Sequence, residues 1–148
     1  MSAEPPRQPD DGSDHDIAVL ISNRQHLPLD TDELTAVATR TLQGEGVARP
    51  GEVSLSFVTA AEMEELHRKY MNEPGPTDVL SFPLGEDGLL GDVVVCPEEA
   101  ARANPDLSAE MRFLVAHGVL HLLGYDHEDE DERRAMWGKQ ERYSGFAP

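Results

Sequence analysis

Cysteine is almost missing from this chain: Cys96 is alone among 148 residues. That excludes a disulfide framework and any cysteine-based zinc site. Long hydrophobic runs are missing too. No stretch approaches the length needed to span a membrane, and the N-terminus lacks the basic-then-apolar pattern of a signal peptide, so the default expectation is a cytoplasmic protein that contacts no membrane. Positive charge is scarce. Twelve Lys and Arg stand against 29 Asp and Glu, a formal net charge of −17. Bulk electrostatics of that sign argues against loose binding to nucleic acid or anionic lipid. A local basic lip remains compatible with it: Arg68 and Lys69 are adjacent, while Arg24, Arg40, Arg102 and Arg112 are scattered. A phosphate-bearing substrate would have to be met by such a patch, by a metal or by a partner protein.

What is present reads as one domain. Residues 1–14 hold three prolines, several acids and almost nothing apolar, the composition of a disordered tail, which leaves 15–148 as a single domain. Ile17 to Ser22 is an apolar run suited to a buried strand. Asp30 or Thr31 caps a helix through Leu34, Val37, Ala38, Thr41 and Leu42 that stops near Gly44 and Gly46. Glu52 to Val58 alternates as a strand, and Thr59 caps a helix through Met63, Leu66 and Tyr70. After the turn at Asn72–Pro76, Thr77 to Phe82 reads as a strand ended by Pro83, joined through Gly85–Gly88 to a strand from Leu89 to Cys96. Pro97 opens a short helix closed by Asn104-Pro105, a longer apolar helix runs from Ser108 to about Leu123, and a last one from about Glu130 to Tyr143. There is no internal repeat. The order predicts an α/β (α+β-like) fold: a mixed, four-stranded sheet with helices packed on it, parallel across the early crossovers and antiparallel at the hairpin.

The chemistry is concentrated in His117-Gly-Val-Leu-His121-Leu-Leu-Gly124-Tyr125-Asp126-His127. His117 and His121, four apart, share one face of the central apolar helix. Gly124 provides a helix-ending left-handed residue, after which the chain can turn His127 back toward the pair. Lone histidines on apolar faces are usually satisfied core residues. Two on one face, amid Phe113, Leu114, Val115, Val119, Leu120, Leu122 and Leu123, would each lose about 1–3 kcal/mol if left unpaired. A divalent metal offsets that loss. Three imidazoles fit zinc and leave a fourth position open, as in a catalytic site.

The spacing is also that of the extended zinc-protease motif, in which the residue after the first histidine is a glutamate that moves protons. Here it is Gly118, which can move none, so a substrate with a better leaving group than a peptide, such as a phosphodiester, is favoured. A glutamate restored at 118 should change little unless it clashes with packing around the helix.

The histidine segment resembles the signature of the YbeY family of metal-dependent endoribonucleases. Pro76-Thr-Asp-Val-Leu-Ser-Phe-Pro83 and Leu90-Gly-Asp-Val-Val-Val95 resemble that family's other recurring blocks, in the same order, so that the resemblance covers about Ile17 to Tyr143. It implies one Zn2+ held by His117, His121 and His127. It also implies single-stranded RNA as substrate, work on ribosomal RNA at the 3′ end of the small-subunit molecule, and small-subunit ribosomal proteins or a ribosome-assembly GTPase as partners, with no role for DNA. One position departs from the pattern. The family often carries an arginine before the Pro-Thr block where this chain has Met71, which leaves Arg68 and Lys69 as the nearby RNA-binding candidates, or as cations that merely solvate the helix and pair with Glu64 and Glu65.

Asp78, Ser81 and Asp92 lie in the matching blocks, either supporting the site or forming structural hydrogen bonds at strand ends. Asp126 could orient a ligand histidine or simply form the turn. The acidic run from Glu128 to Glu132 lacks the glycine and ligand spacing of a calcium loop and reads as a helix N-terminus. Trp137 and Tyr143 read as packing anchors rather than base-stacking platforms. No general base can be assigned from the sequence. The alternatives are a metallohydrolase acting on a peptide or small molecule, and a non-catalytic ribosome-assembly factor with a structural metal.

Overall fold

The computed structural model describes residues 17–47, 51–86, 89–125 and 129–145. They form four strands, β1 (Ile17–Asn23), β2 (Gly51–Phe57), β3 (Val79–Glu86) and β4 (Leu89–Val95), and five helices, α1 (Thr31–Gly44), α2 (Ala60–Met71), α3 (Pro97–Ala103), α4 (Leu107–Leu122) and α5 (Glu130–Ser144), in the order β1-α1-β2-α2-β3-β4-α3-α4-α5. The sheet order is β1-β2-β4-β3. β1 with β2 and β2 with β4 are parallel, and the β3–β4 hairpin is antiparallel. This is the expected mixed sheet. The expected tail over 1–14 lies outside the described residues.

Alternation along the strands sorts the helices into two layers. Val53, Leu55 and Phe57 of β2 and Val93 and Val95 of β4 share one core with α1, α4 and α5. The intervening Val94 and Leu80 join Val58, Met63 and Cys96 in a smaller cluster under α2. Phe57, Leu34, Leu42, Leu55, Met111 and Leu120 are essentially fully buried, each worth roughly 1.5–3 kcal/mol. α4 is apolar nearly all round, with buried residues from Ala109 to Leu122, because it lies between the sheet and the other helices of its layer. Cys96 is wholly buried, and burial pushes its thiol above the usual range, so it serves packing.

Two boundaries depart from the sequence reading, and one of its two capping alternatives is selected. α4 begins at Leu107, because the Asp106 carboxylate accepts the Ala109 N–H at 3.1 Å and caps the helix one turn ahead of the apolar run. At α1 it is Asp30, accepting from the Glu33 N–H at 3.0 Å, that caps. Pro83 does not end β3, which continues to Glu86. Among the described residues β3 is an edge strand paired only with β4, where a missing N–H is tolerated.

Candidate metal centre and adjoining cavity

α4 positions His117 and His121, the two candidate metal histidines among the described residues. His117 and His121 stand one turn apart, with ring centroids 4.7 Å apart and planes at 66°, and both are half-buried. The helix then closes cleanly. The N–H groups of Gly124 and Tyr125 donate to the carbonyls of His121 and Leu120 at 3.0 and 3.1 Å. Gly124 has φ +103°, in the left-handed region that favours glycine, and redirects the chain there. Asp126 and His127 lie outside the described residues. Among the described residues no group of three or more His, Cys, Asp or Glu is placed to hold a metal, and of the three candidate ligands the described ones are His117 and His121. Two half-buried imidazoles stacked on one apolar helix suit a zinc-class ion.

Gly118 faces the sheet. A Cβ there would drive into the Val93 side chain and stand 3.3 Å from the Ser81 hydroxyl. Ser81 donates to the Gly118 carbonyl at 3.0 Å, which ties β3 to the helix between the two histidines. Ser81 is therefore a direct support of the histidine helix. The position that carries glutamate in zinc proteases is a point of close approach in this fold, with no room for any side chain.

A cavity of about 330 Å³ opens beside His117. Asp78 and Val79 of the β3 approach, Glu110, Phe113 and Leu114 of α4, and Arg133, Met136, Trp137 and Gln140 of α5 complete its wall. Burial pushes the Glu110 carboxyl above the usual carboxylate range, and the negative charge of Asp78 adds to the effect. Asp78 thus borders the same space as His117, while its backbone carbonyl accepts the Cys96 N–H at 2.9 Å. Tyr143 is buried at 4% exposure, as expected of an anchor, but Trp137 is 49% exposed. Trp137 packs edge to face on Phe113 and leaves the rest of its ring exposed along the cavity, so it is an anchor only in part.

Asp92, Arg68 and Lys69 lie elsewhere. Asp92 points to the α2 side of the sheet, in a cleft shared with Arg24, Ser54, Ser56 and Glu62, where Arg24 and Glu62 pair at 2.6 Å. Arg68 and Lys69 belong to the last turn of α2, in the layer across the sheet from α4. Both are exposed, and among the described residues neither forms an ion pair with Glu64 or Glu65. Among the described residues, the cation that lines the His117 cavity is Arg133.

Glu45, which caps the C-terminal end of α1, had no signal in the sequence. Its carboxylate accepts from the Tyr125 hydroxyl at 2.6 Å, the Tyr143 hydroxyl at 2.6 Å and the Lys139 ammonium at 3.0 Å. Burial alone would raise its pKa. The three donors and the lysine charge outweigh burial and hold the carboxyl below its ordinary value. The group joins α1, α5 and the residue that follows Gly124, so it fixes the chain where it leaves α4 for the third histidine. Gly44 makes this possible, since a Cβ there would overlap the Tyr143 ring.

Comparison with known proteins agrees with this architecture. Residues 20–145 match the family model described as Endoribonuclease YbeY. A protein named Endoribonuclease YbeY from Thermobifida fusca is 40% identical over 139 residues, covering 84% of this chain and 90% of that protein. Its namesake from Beutenbergia cavernae is 41% identical over 137 residues, covering 82% and 91%. The solution structure of TM1509 from Thermotoga maritima matches with a TM-score of 0.59 at 33% identity, covering 85% of this chain and 86% of that one. An α/β domain with a histidine-bearing central helix is thus the class of the protein. The chain belongs to the YbeY endoribonuclease family.

Proposed function

We propose that this protein is a metal-dependent endoribonuclease that cuts single-stranded RNA during maturation of small-subunit ribosomal RNA, near its 3′ end, in the cytoplasm. The observation that carries the reading is the His117–His121 pair on α4, 4.7 Å apart beside an open cavity, within a family whose curated members are named endoribonucleases. His117, His121 and, beyond Gly124, His127 would hold one zinc ion. Such an ion supplies Lewis-acid activation of water near neutral pH and of a phosphoryl oxygen. The chain's own residues do the rest. α4 orients two imidazoles, Ser81 locks the helix to β3, and the Glu45 cluster fixes the departure toward His127. Gly118, pressed against Val93, leaves no place for a protease-type glutamate, and that supports a phosphodiester over a peptide. With a net charge of −17, delivery to the ribosome would fall to partners, small-subunit ribosomal proteins or an assembly GTPase.

Elemental analysis of the purified protein tests the metal: close to one zinc per chain in the wild type and none in His121→Ala. Cleavage of an unpaired oligoribonucleotide should disappear with the ion and return when zinc is restored. Equal metal in both proteins, or casein cleavage that depends on the histidines, would overturn the proposal.

A further inference from the structure

The cavity beside His117 has the chemistry of a nucleobase pocket, and we infer that it holds one unpaired base of the RNA next to the scissile phosphate. The inference rests on the endoribonuclease reading above and deepens it.

Three observations carry it. The first is an aromatic wall. Trp137 is the single tryptophan of the chain, lines the cavity and leaves 49% of its surface open to solvent. Its orientation is fixed from two sides. The indole N–H donates to Glu141 at 3.0 Å, and the Phe113 ring meets it edge to face at 5.1 Å and 64°. A rigid, half-exposed indole is a stacking platform that costs little entropy when a base lands on it.

The second is a polar group without a partner. Gln140 lines the same cavity and is 3% exposed, yet its amide nitrogen has no hydrogen-bond partner among the described residues. A buried unpaired amide N–H is unfavourable, and that penalty disappears when a ligand acceptor arrives. Glu110, on the same wall, offers the complementary acceptor. Donor and acceptor beside an aromatic face match the edge of a base, which carries ring or carbonyl acceptors and amino or imino donors. The third is position. His117 contributes to the cavity wall, and so does Arg133. A base seated here would put its own phosphate between the histidine helix and a cation. At about 330 Å³ the cavity is at the small end of ligand sites, right for one base and too small for a paired duplex step.

The occupant is read by kinetics on an unpaired oligoribonucleotide and on the same oligonucleotide with one abasic site stepped across the cleaved junction. The zinc-loaded wild type should lose roughly 5- to 140-fold in kcat/KM at a single abasic position, the range expected for one stacked base. Trp137→Ala should show a similar loss on the intact substrate, mostly in KM, and no further loss at that position. Trp137→Phe should recover most of it, and Gln140→Leu should lose less than Trp137→Ala. Melting temperatures check that each variant is folded. The fluorescence of Trp137 in the wild type gives a readout that needs no variant, since a base stacked on the indole quenches it. An abasic scan with no sensitive position, or Trp137→Ala keeping the full abasic penalty, would overturn the pocket while leaving the endoribonuclease intact. A wild type that neither cleaves RNA nor is quenched by it would remove both. Quenching without cleavage would keep the pocket and remove only the nuclease.

Discussion

On one side of the sheet, Val53, Leu55, Phe57, Val93 and Val95 meet a helix buried almost all round. On the other, α2 buries only Met63, over strand positions that include Ser54, Ser56 and Asp92. The histidines, the aromatic wall and the Glu45 cluster belong to the first layer; the Arg68–Lys69 pair and the Asp92 cleft belong to the second. A metal centre needs ligands held within about 0.5 Å, and only a densely packed layer supplies that. The lightly packed layer can open locally at small cost.

The largest effect expected of this contrast is at Gly118. Gly118→Glu should unfold the protein or prevent its accumulation, since it forces a carboxylate into Val93 and the sheet. Even Gly118→Ala should cost about 1–3 kcal/mol, despite alanine's better helix propensity. Gly138, interior to α5, has open space where a Cβ would go, so Gly138→Ala should stabilise by about 0.5–1 kcal/mol. Denaturant midpoints for the three variants decide the matter. A wild-type-like Gly118→Ala would mean that α4 is not seated as tightly as described.

The next effect lies at the exit of α4. Glu45→Gln should destabilise by about 1–2 kcal/mol at neutral pH, because two tyrosine hydroxyls and an ammonium lose a charged acceptor. The folded carboxyl has a depressed pKa, so its contribution is complete above the ordinary carboxylate range and is lost as pH falls through the folded value. The gap between wild type and variant should therefore be constant near neutrality and close in acid. Zinc affinity should also fall in Glu45→Gln. A gap that widened in acid would refute the assignment.

These two positions also show what the sequence could carry. The strands, the element order and the histidine pair are legible because period-2 and period-3.6 patterns and a His-x3-His spacing are local. Gly118 was legible as a missing base, but its steric reason was not, since Val93 and Ser81 reach it from other elements. Glu45 looked like any acid after a helix, and its three donors come from residues 80 to 98 positions away. The exposure of Trp137 depends on how α5 packs against Phe113, which no helical pattern reports. His127 was visible by spacing alone and lies outside the described residues.

A smaller difference should appear in hydrogen exchange. Amides of α4 around Val115 to Leu120 should exchange only through global unfolding, and those of α2 around Glu64 to Lys69 through a cheaper local opening. Equal protection in the two helices would erase the distinction between the layers.

The smallest expected effect bears on which layer meets the phosphates. Arg68 and Lys69 hold the last turn of α2, exposed, with the Lys69 ammonium 5.3 Å from the Tyr70 ring, while Arg133 reaches the His117 cavity. Each phosphate contact by a cation contributes close to one unit to the slope of log affinity against log salt, about 0.7 for a single strand. If RNA runs along the α4–α5 layer, Arg133→Ala should weaken binding a few-fold and reduce that slope, and Arg68→Ala and Lys69→Ala should do neither. If the strand wraps the edge at β3, the two α2 variants should reduce the slope as well, and Met71→Arg, which adds a third cation to that turn, should tighten binding. Binding of one unpaired oligoribonucleotide, measured at several salt concentrations for all four variants, separates the two paths. An unchanged slope in every variant would remove these cations from the interface and leave the phosphates to the metal and to partner proteins.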